Sequence, residues 1–148
     1  MTKPRKIRPS SITRFEQLFF ASLAATTVAI MLNYGTLRSQ AIAQGSSPAG
    51  PIIGILLTLL INLPLWYFVA RRASNVSKWI LVVLVAIGTL MLPWTYAAVF
   101  AVSMSYTFLS ILAYGLSIAS TAMLFRRDSV SWLKSGGAVG AINPDIFS

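Results

Sequence analysis

The side chains that usually carry chemistry are scarce in this chain of 148 residues, which has no histidine and no cysteine. Without imidazole or thiolate groups, the sequence excludes disulfides, thiol redox chemistry and the usual zinc, haem and iron–sulfur ligands. The three carboxylates are Glu16, Asp128 and Asp145, and none of them lies inside an apolar run. The sequence also has no glycine-rich phosphate loop and no serine–histidine–aspartate set. We therefore expect no enzymatic activity, no cofactor and no metal site.

Polar residues inside long uncharged runs are the remaining candidates for function. A proline within a helix removes one backbone hydrogen bond, and inside a membrane a neighbouring polar group often satisfies the freed carbonyl. Two interpretations stay open: these residues line a small polar cavity near the membrane midplane, or an asparagine only strengthens helix packing by a hydrogen bond. The candidate residues are Asn62, Pro64, Thr89, Pro93, Thr95 and Ser117.

The composition indicates that lipid surrounds the elements that carry these residues. Hydrophobic residues make up 56% of the chain and charged residues 10%, whereas soluble domains contain about 25% charged residues. A hydrocarbon core about 30 Å thick requires about 20 apolar residues in a helix. The uncharged run between Lys78 and Arg126 has 47 residues, enough for two such helices and a turn. The sequence thus predicts an all-α polytopic membrane protein with four transmembrane helices, arranged as two hairpins, at residues 18–37, 51–70, 79–101 and 107–125.

Shorter segments connect and flank the predicted helices. A basic segment, 1–16, precedes the transmembrane domain, 17–127, and a stub and tail, 128–148, follow it. We expect an outer loop at 39–50 and a tight turn at 102–106. After the last span, we expect Trp132 and Leu133 to lie along the membrane interface in a short amphipathic segment.

The distribution of basic residues predicts the orientation of the chain. Five of the 12 lysines and arginines precede the first span, three lie between the second and third spans, three follow the fourth, and only Arg38 falls on the opposite side. Because cytoplasmic loops are enriched in lysine and arginine, we expect both termini in the cytoplasm. Anionic lipid headgroups, rather than nucleic acid, are the expected partners of these cations. The candidate lipid contacts are Lys3, Arg5, Lys6, Arg8, Arg71, Arg72, Lys78, Arg126 and Arg127.

A signal peptide is the alternative interpretation of the first span. A basic leader and an apolar run precede Ala41-Ile42-Ala43, which matches a cleavage site. However, the apolar run of about 20 residues exceeds the 7–15 residues of a typical signal peptide, and Arg38 interrupts the approach to the site. A retained transmembrane helix is the favoured interpretation.

Three segments give the chain a family resemblance. They are SITRFEQLFFASL at 11–23, RRASNVSKW at 71–79 and RRDSVSW at 126–132. Together they resemble a group of short bacterial inner-membrane proteins with four helices and no known activity. The resemblance covers residues 11–137 and implies a fold and a location, but no activity and no site residues.

Small residues at four-residue spacing let membrane helices approach closely, and three spans contain them. We therefore expect a non-enzymatic protein that acts through helix packing, as an accessory or assembly subunit of a larger membrane complex. The alternative is a small homo-oligomeric transporter or lipid-handling protein with a polar cavity around Asn62. The partner is accordingly another membrane protein or a second copy. The stripes are Ala21, Ala25 and Ala29; Gly54, Thr58 and Asn62; and Ala113, Ser117 and Thr121.

Overall fold

The computed structural model describes residues 9–137, except for the side chains of residues 92–98. Within these residues every regular element is a helix, in agreement with the all-α prediction. The six helices are α1 (Ser10–Leu32), α2 (Tyr34–Ala43), α3 (Gly50–Ala70), α4 (Asn75–Val102), α5 (Met104–Met123) and α6 (Arg127–Lys134).

Three helices are long and apolar enough to cross a membrane, namely α1, α3 and α5. They contain 23, 21 and 20 residues, close to the number that a hydrocarbon core requires. The fourth long helix, α4, is apolar over Asn75–Met91, the part that precedes the side chains left undescribed. A membrane location is therefore supported by helix length and composition.

Serine caps define two of the helix starts. The Ser74 hydroxyl accepts a hydrogen bond from the Ser77 amide at 3.2 Å and caps α4. The Ser103 hydroxyl accepts one from the Tyr106 amide at 3.1 Å and caps α5. Ser103 has an extended backbone, with φ −173° and ψ 161°, so this single residue separates α4 from α5. The turn expected at 102–106 is thus reduced to one residue, because a serine N-cap begins the next helix immediately.

The first expected span is interrupted at Asn33. There the backbone leaves the helical conformation, and the Asn33 amide group donates to the Ala29 carbonyl at 2.9 Å. Helix α2 then continues to Ala43, so the outer loop expected at 39–50 is wrong for residues 39–43, which are helical. Only residues 44–49 connect α2 to α3. The polar residues of α2 gave no apolar periodicity from which this helix could be predicted.

The tightest helix contact joins α1 to α5, which run antiparallel. The Ser22 hydroxyl donates to the Ala113 carbonyl at 2.8 Å, a bond that requires the two backbones to lie close together. Ala29 and Ala113 are both buried at this contact, whereas Ala21 of the same α1 stripe is exposed. In the stripe of α3, Gly54 is exposed as well. Helix α3 contacts α1 and α4, and α4 contacts α5.

The main apolar core lies at one end of the bundle, where α1 begins and α5 ends. It includes Phe15 of α1, Val69 of α3, Leu81 of α4 and Leu124, which directly follows α5. Trp132 of α6 belongs to the same core and is only 2% exposed. The expected placement of Trp132 and Leu133 along the membrane interface is therefore wrong: α6 forms, but these two side chains pack against the bundle.

Candidate functional site

The end of the bundle that contains the core also carries most of the described basic side chains. Arg71, at the end of α3, lies 3.8 Å from Glu16 of α1, measured from Nε to Oε1. The Arg71 guanidinium also lies 5.6 Å from the centroid of the Trp66 ring. These contacts fix the end of α3 beside the start of α1, and so bring together charges that are 55 positions apart in the chain.

Lys78 begins the apolar part of α4 and is the most enclosed cation of this end. It is only 5% exposed. Its ammonium nitrogen lies 4.1 Å from the centroid of the Phe125 ring and 5.6 Å from that of Trp79. Cation–π contacts of this kind offset part of the cost of removing an ammonium group from water.

Helix α6 closes this end by hydrogen bonds to the start of α1. The Ser129 hydroxyl is 2.6 Å from the buried Ser11 hydroxyl and 2.8 Å from the Met123 carbonyl. A hydrogen bond from Ser11 holds the pKa of Asp128 below its usual value, with smaller contributions from backbone amides and from Arg126. The first and last described helices therefore meet at the same end of the bundle.

The predicted lipid contacts fall into two groups. Arg71, Arg72, Lys78, Arg126 and Arg127 all lie at this end, at helix starts or ends that the contacts above bring together. The other four candidate lipid contacts precede residue 9 and lie outside the described residues. They are Lys3, Arg5, Lys6 and Arg8.

The candidate midplane residues with described polar side chains form hydrogen bonds within their own helices. The Asn62 amide donates to the Thr58 carbonyl at 2.8 Å, within its own helix, and the Thr89 hydroxyl donates to the Val85 carbonyl at 2.8 Å. Among the described residues no hydrogen bond joins Asn62, Thr89 and Ser117. Helix α3 continues through Pro64, which is exposed, and the side chains of Pro93 and Thr95 lie outside the described residues.

The hydrogen bond that the Asn62 side chain donates does not replace the backbone hydrogen bond that Pro64 removes. Pro64 has no amide hydrogen, so the carbonyl four residues earlier, at Leu60, loses its helical partner. Asn62 instead binds the Thr58 carbonyl. The Asn62 side-chain amide therefore adds a hydrogen bond to the helix before the proline, and it does not bind the Leu60 carbonyl.

A polar cluster joins α1 to the turn between α4 and α5, at the other end of the bundle. The side-chain oxygen Oδ1 of Asn33 accepts hydrogen bonds from the Ser103 hydroxyl at 2.5 Å and from the Ser105 hydroxyl at 3.4 Å. Asn33 is 8% exposed. Sequence analysis missed this cluster, although an asparagine at the end of an apolar run and two serines in the middle of another were visible signals.

Two open clefts lie on the described surface. One, of about 440 Å³, lies near α2 and is bordered by Ile30, Leu37, Gly54 and Tyr106, among others. The other, of about 600 Å³, is a groove between α4 and α5 with a strongly apolar lining. Thr89 borders this groove, whereas Asn62 and Ser117 border neither cleft.

The described residues contain no group of three or more histidine, cysteine, aspartate or glutamate side chains that could hold a metal ion. What the arrangement offers is a cationic end, apolar grooves and closely packed helices. No protein-family model, curated protein or solved structure matches the chain. The fold and the site define the class to which the protein belongs, an all-helical protein with three helices suited to crossing a membrane.

Proposed function

We propose that this chain is a four-span protein of the inner (cytoplasmic) membrane that acts without catalysis, as an accessory or assembly subunit of a larger membrane complex. Both termini lie in the cytoplasm. Its role is to pack its helices against a partner, and anionic lipids hold its basic end at the cytoplasmic surface.

The length of α4 supports the fourth span. It contains 28 residues, which corresponds to about 42 Å of helix, and it is uncharged from Trp79 to its end at Val102. The antiparallel contact of α1 with α5 and the single-residue turn at Ser103 agree with four successive crossings. The basic residues at the end where α1 begins and α6 docks favour a cytoplasmic position for that end.

The exposed surface of α3 is the observation that carries the proposed role. This helix is the most apolar of the three candidate spans, yet only 11% of its most apolar window is buried, compared with 22% for α1 and α5. Leu56 and Leu60 are 60% and 69% exposed. With Gly54 on an open surface, α3 also offers a point of close approach to a neighbouring helix. We infer that α3 is the surface that a partner covers.

Photo-crosslinking from α3 tests this role. A photoreactive amino acid at Leu60 should form one discrete adduct with a different membrane protein in the native membrane. The matched control is the same substitution at Leu90 of α4, which is 67% exposed and therefore equally accessible. Leu90 should give no such protein adduct. If both positions give only lipid adducts, the proposed role is refuted.

The alternative function, a homo-oligomeric transporter or lipid-handling protein, requires a second copy. The two described clefts do not supply the cavity, because Asn62 and Ser117 border neither of them, while half-buried Asn62 lies on the open helix α3. An adduct from Leu60 with twice the mass of the chain would favour this alternative. In that case Asn62→Leu should abolish transport while the helical content stays unchanged.

A further inference from the structure

Lys78 is a buried cation whose charge is not balanced by the described residues. Its side chain makes cation–π contacts with Phe125 and Trp79, and no described carboxylate forms an ion pair with it. Burial, and to a smaller extent the positive charge of Lys134, lowers the pKa of Lys78. Burying an uncompensated charge is costly, so a lysine that is only 5% exposed indicates a place where an anion is bound.

The apolar groove between α4 and α5 begins directly beneath this cation. Phe125, whose ring lies under the Lys78 ammonium, also borders the groove. From Val82 to Leu90 the groove follows α4 for eight residues, about 12 Å at the helical rise. One leaflet of a hydrocarbon core about 30 Å thick measures about 15 Å, so the groove extends through most of one leaflet.

The lining of the groove favours an acyl chain over water or a soluble ion. It is formed mainly by aliphatic side chains such as Val85 and Ile118. Of its two threonines, Thr89 uses its hydroxyl to donate to the Val85 carbonyl and Thr121 donates to the Ser117 carbonyl. These hydroxyls are already bonded within their own helices, so the groove has little to offer a polar ligand.

We propose that Lys78 and the α4–α5 groove form a binding site for one anionic phospholipid. The Lys78 ammonium group binds the headgroup phosphate, Phe125 separates the headgroup from the chain, and one acyl chain lies along Val82, Val85 and Ile118. This site goes beyond a general attraction of basic residues to the membrane surface, because it predicts a fixed stoichiometry and a defined place for the chain. It rests on the proposed membrane insertion, and it does not depend on the accessory role.

Native mass spectrometry of the full-length protein, purified in detergent and titrated with lipid, tests the site. The probes are phosphatidylglycerol and phosphatidylcholine with identical acyl chains. We expect one phosphatidylglycerol to bind several-fold more tightly than phosphatidylcholine. Lys78→Gln should weaken phosphatidylglycerol binding about fivefold, the loss expected for one charge at the surface, whereas Lys78→Arg should retain it. The matched control is Arg72→Gln, which removes one exposed charge at the same end outside the groove.

A second pair of variants tests the position of the chain. Ala122→Phe fills the groove from an exposed position and should weaken binding of both lipids without unfolding the bundle. The control is Ala24→Phe, at an exposed position of α1 away from the groove. Circular dichroism confirms that each variant retains its helical content.

Three results would overturn the proposal. Equal losses for Lys78→Gln and Arg72→Gln would mean that the attraction is diffuse. Equal effects of Ala122→Phe and Ala24→Phe would mean that no chain occupies the groove. Displacement of the bound phosphatidylglycerol by inorganic phosphate would mean that Lys78 binds a free anion. None of these results bears on the crosslinking experiment at Leu60, so failure of the lipid site and failure of the accessory role are distinguishable.

Discussion

Truncation of Trp132 should release α6 from the bundle. Trp132 is 2% exposed and packs in a core that also contains Ile12, Val69 and Leu124. Replacing a buried tryptophan by alanine costs about 3–5 kcal/mol, because it removes buried apolar surface and leaves a cavity. Since α6 has only eight residues and depends on this packing, the cost should appear as local opening of α6 rather than as unfolding of the whole bundle.

The indole nitrogen makes a finer prediction possible. The Nε1 atom of Trp132 is buried and has no hydrogen-bond acceptor among the described residues. An unsatisfied buried donor costs about 1–3 kcal/mol. Trp132→Phe removes this donor and keeps an aromatic ring. The free-energy cost of the lost side-chain volume and the free energy gained by removing the unsatisfied donor should therefore largely cancel. We expect Trp132→Phe to stay within about 1.5 kcal/mol of the natural protein.

Hydrogen exchange of the α6 amides measures both effects in the protein reconstituted in bicelles. The informative amides are those of Val130 and Ser135, which bond to the Arg126 and Ser131 carbonyls at 2.9 and 3.0 Å. Trp132→Ala should lower their protection at least a hundredfold, since every 1.4 kcal/mol is a factor of ten. Amides in the middle of α3 serve as the internal control and should not change. Unchanged protection of α6 in Trp132→Ala would refute the inference that this side chain holds α6.

Three further predictions concern the helix contacts and the pH dependence. Ala113→Leu should overpack the α1–α5 contact and cost about 1–3 kcal/mol in mixed-micelle unfolding by dodecyl sulfate, whereas Ala122→Leu, at an exposed position of the same helix, should cost almost nothing. Equal costs would contradict the α1–α5 interface. Asn33→Ala should cost about 0.6–1.7 kcal/mol in the same assay, because it removes the acceptor of the serine hydroxyl that caps α5. Because a hydrogen bond from Ser11 lowers the pKa of Asp128, the ionised carboxylate should stabilise α6 docking above about pH 4 and lose this effect as the pH falls through the lowered pKa. Tryptophan emission recorded from about pH 6 to about pH 2.5 should show this transition, and Asp128→Asn should lack it.

Helix content and the three apolar helices could be predicted from the sequence, because uncharged runs of about 20 residues directly encode them. The ends of the helices were less predictable. Asn33 interrupts the first run by a side-chain bond to its own helix, and Ser103 divides the third run with a single extended residue. Such local hydrogen bonds leave almost no trace in hydropathy, which averages over many residues.

The environment of individual side chains could not be predicted from topology alone. Lys78 and Trp132 both stand beside apolar runs, and the sequence placed them at the membrane surface. In the structure they are enclosed, because α5 ends over Lys78 and α6 turns back against α1. Likewise, the sequence predicts a midplane position for both Asn62 and Thr89, but they lie on different helices and bond within them. The hydropathy pattern carries no information on the direction that a side chain faces, which depends on how the helices pack.

Labelling of single cysteines tests the four-span arrangement most directly, since the natural chain has no cysteine. Cysteine is introduced at Ser47 between α2 and α3, at Asn75 where α4 begins, at Met104 after the α4–α5 turn, and at Ser131 in α6. A membrane-impermeant maleimide applied to intact spheroplasts should label the positions of Ser47 and Met104, and should reach those of Asn75 and Ser131 only after the membrane is opened. Labelling of Ser131→Cys in intact spheroplasts, or protection of Met104→Cys, would contradict the arrangement with four spans and both ends in the cytoplasm.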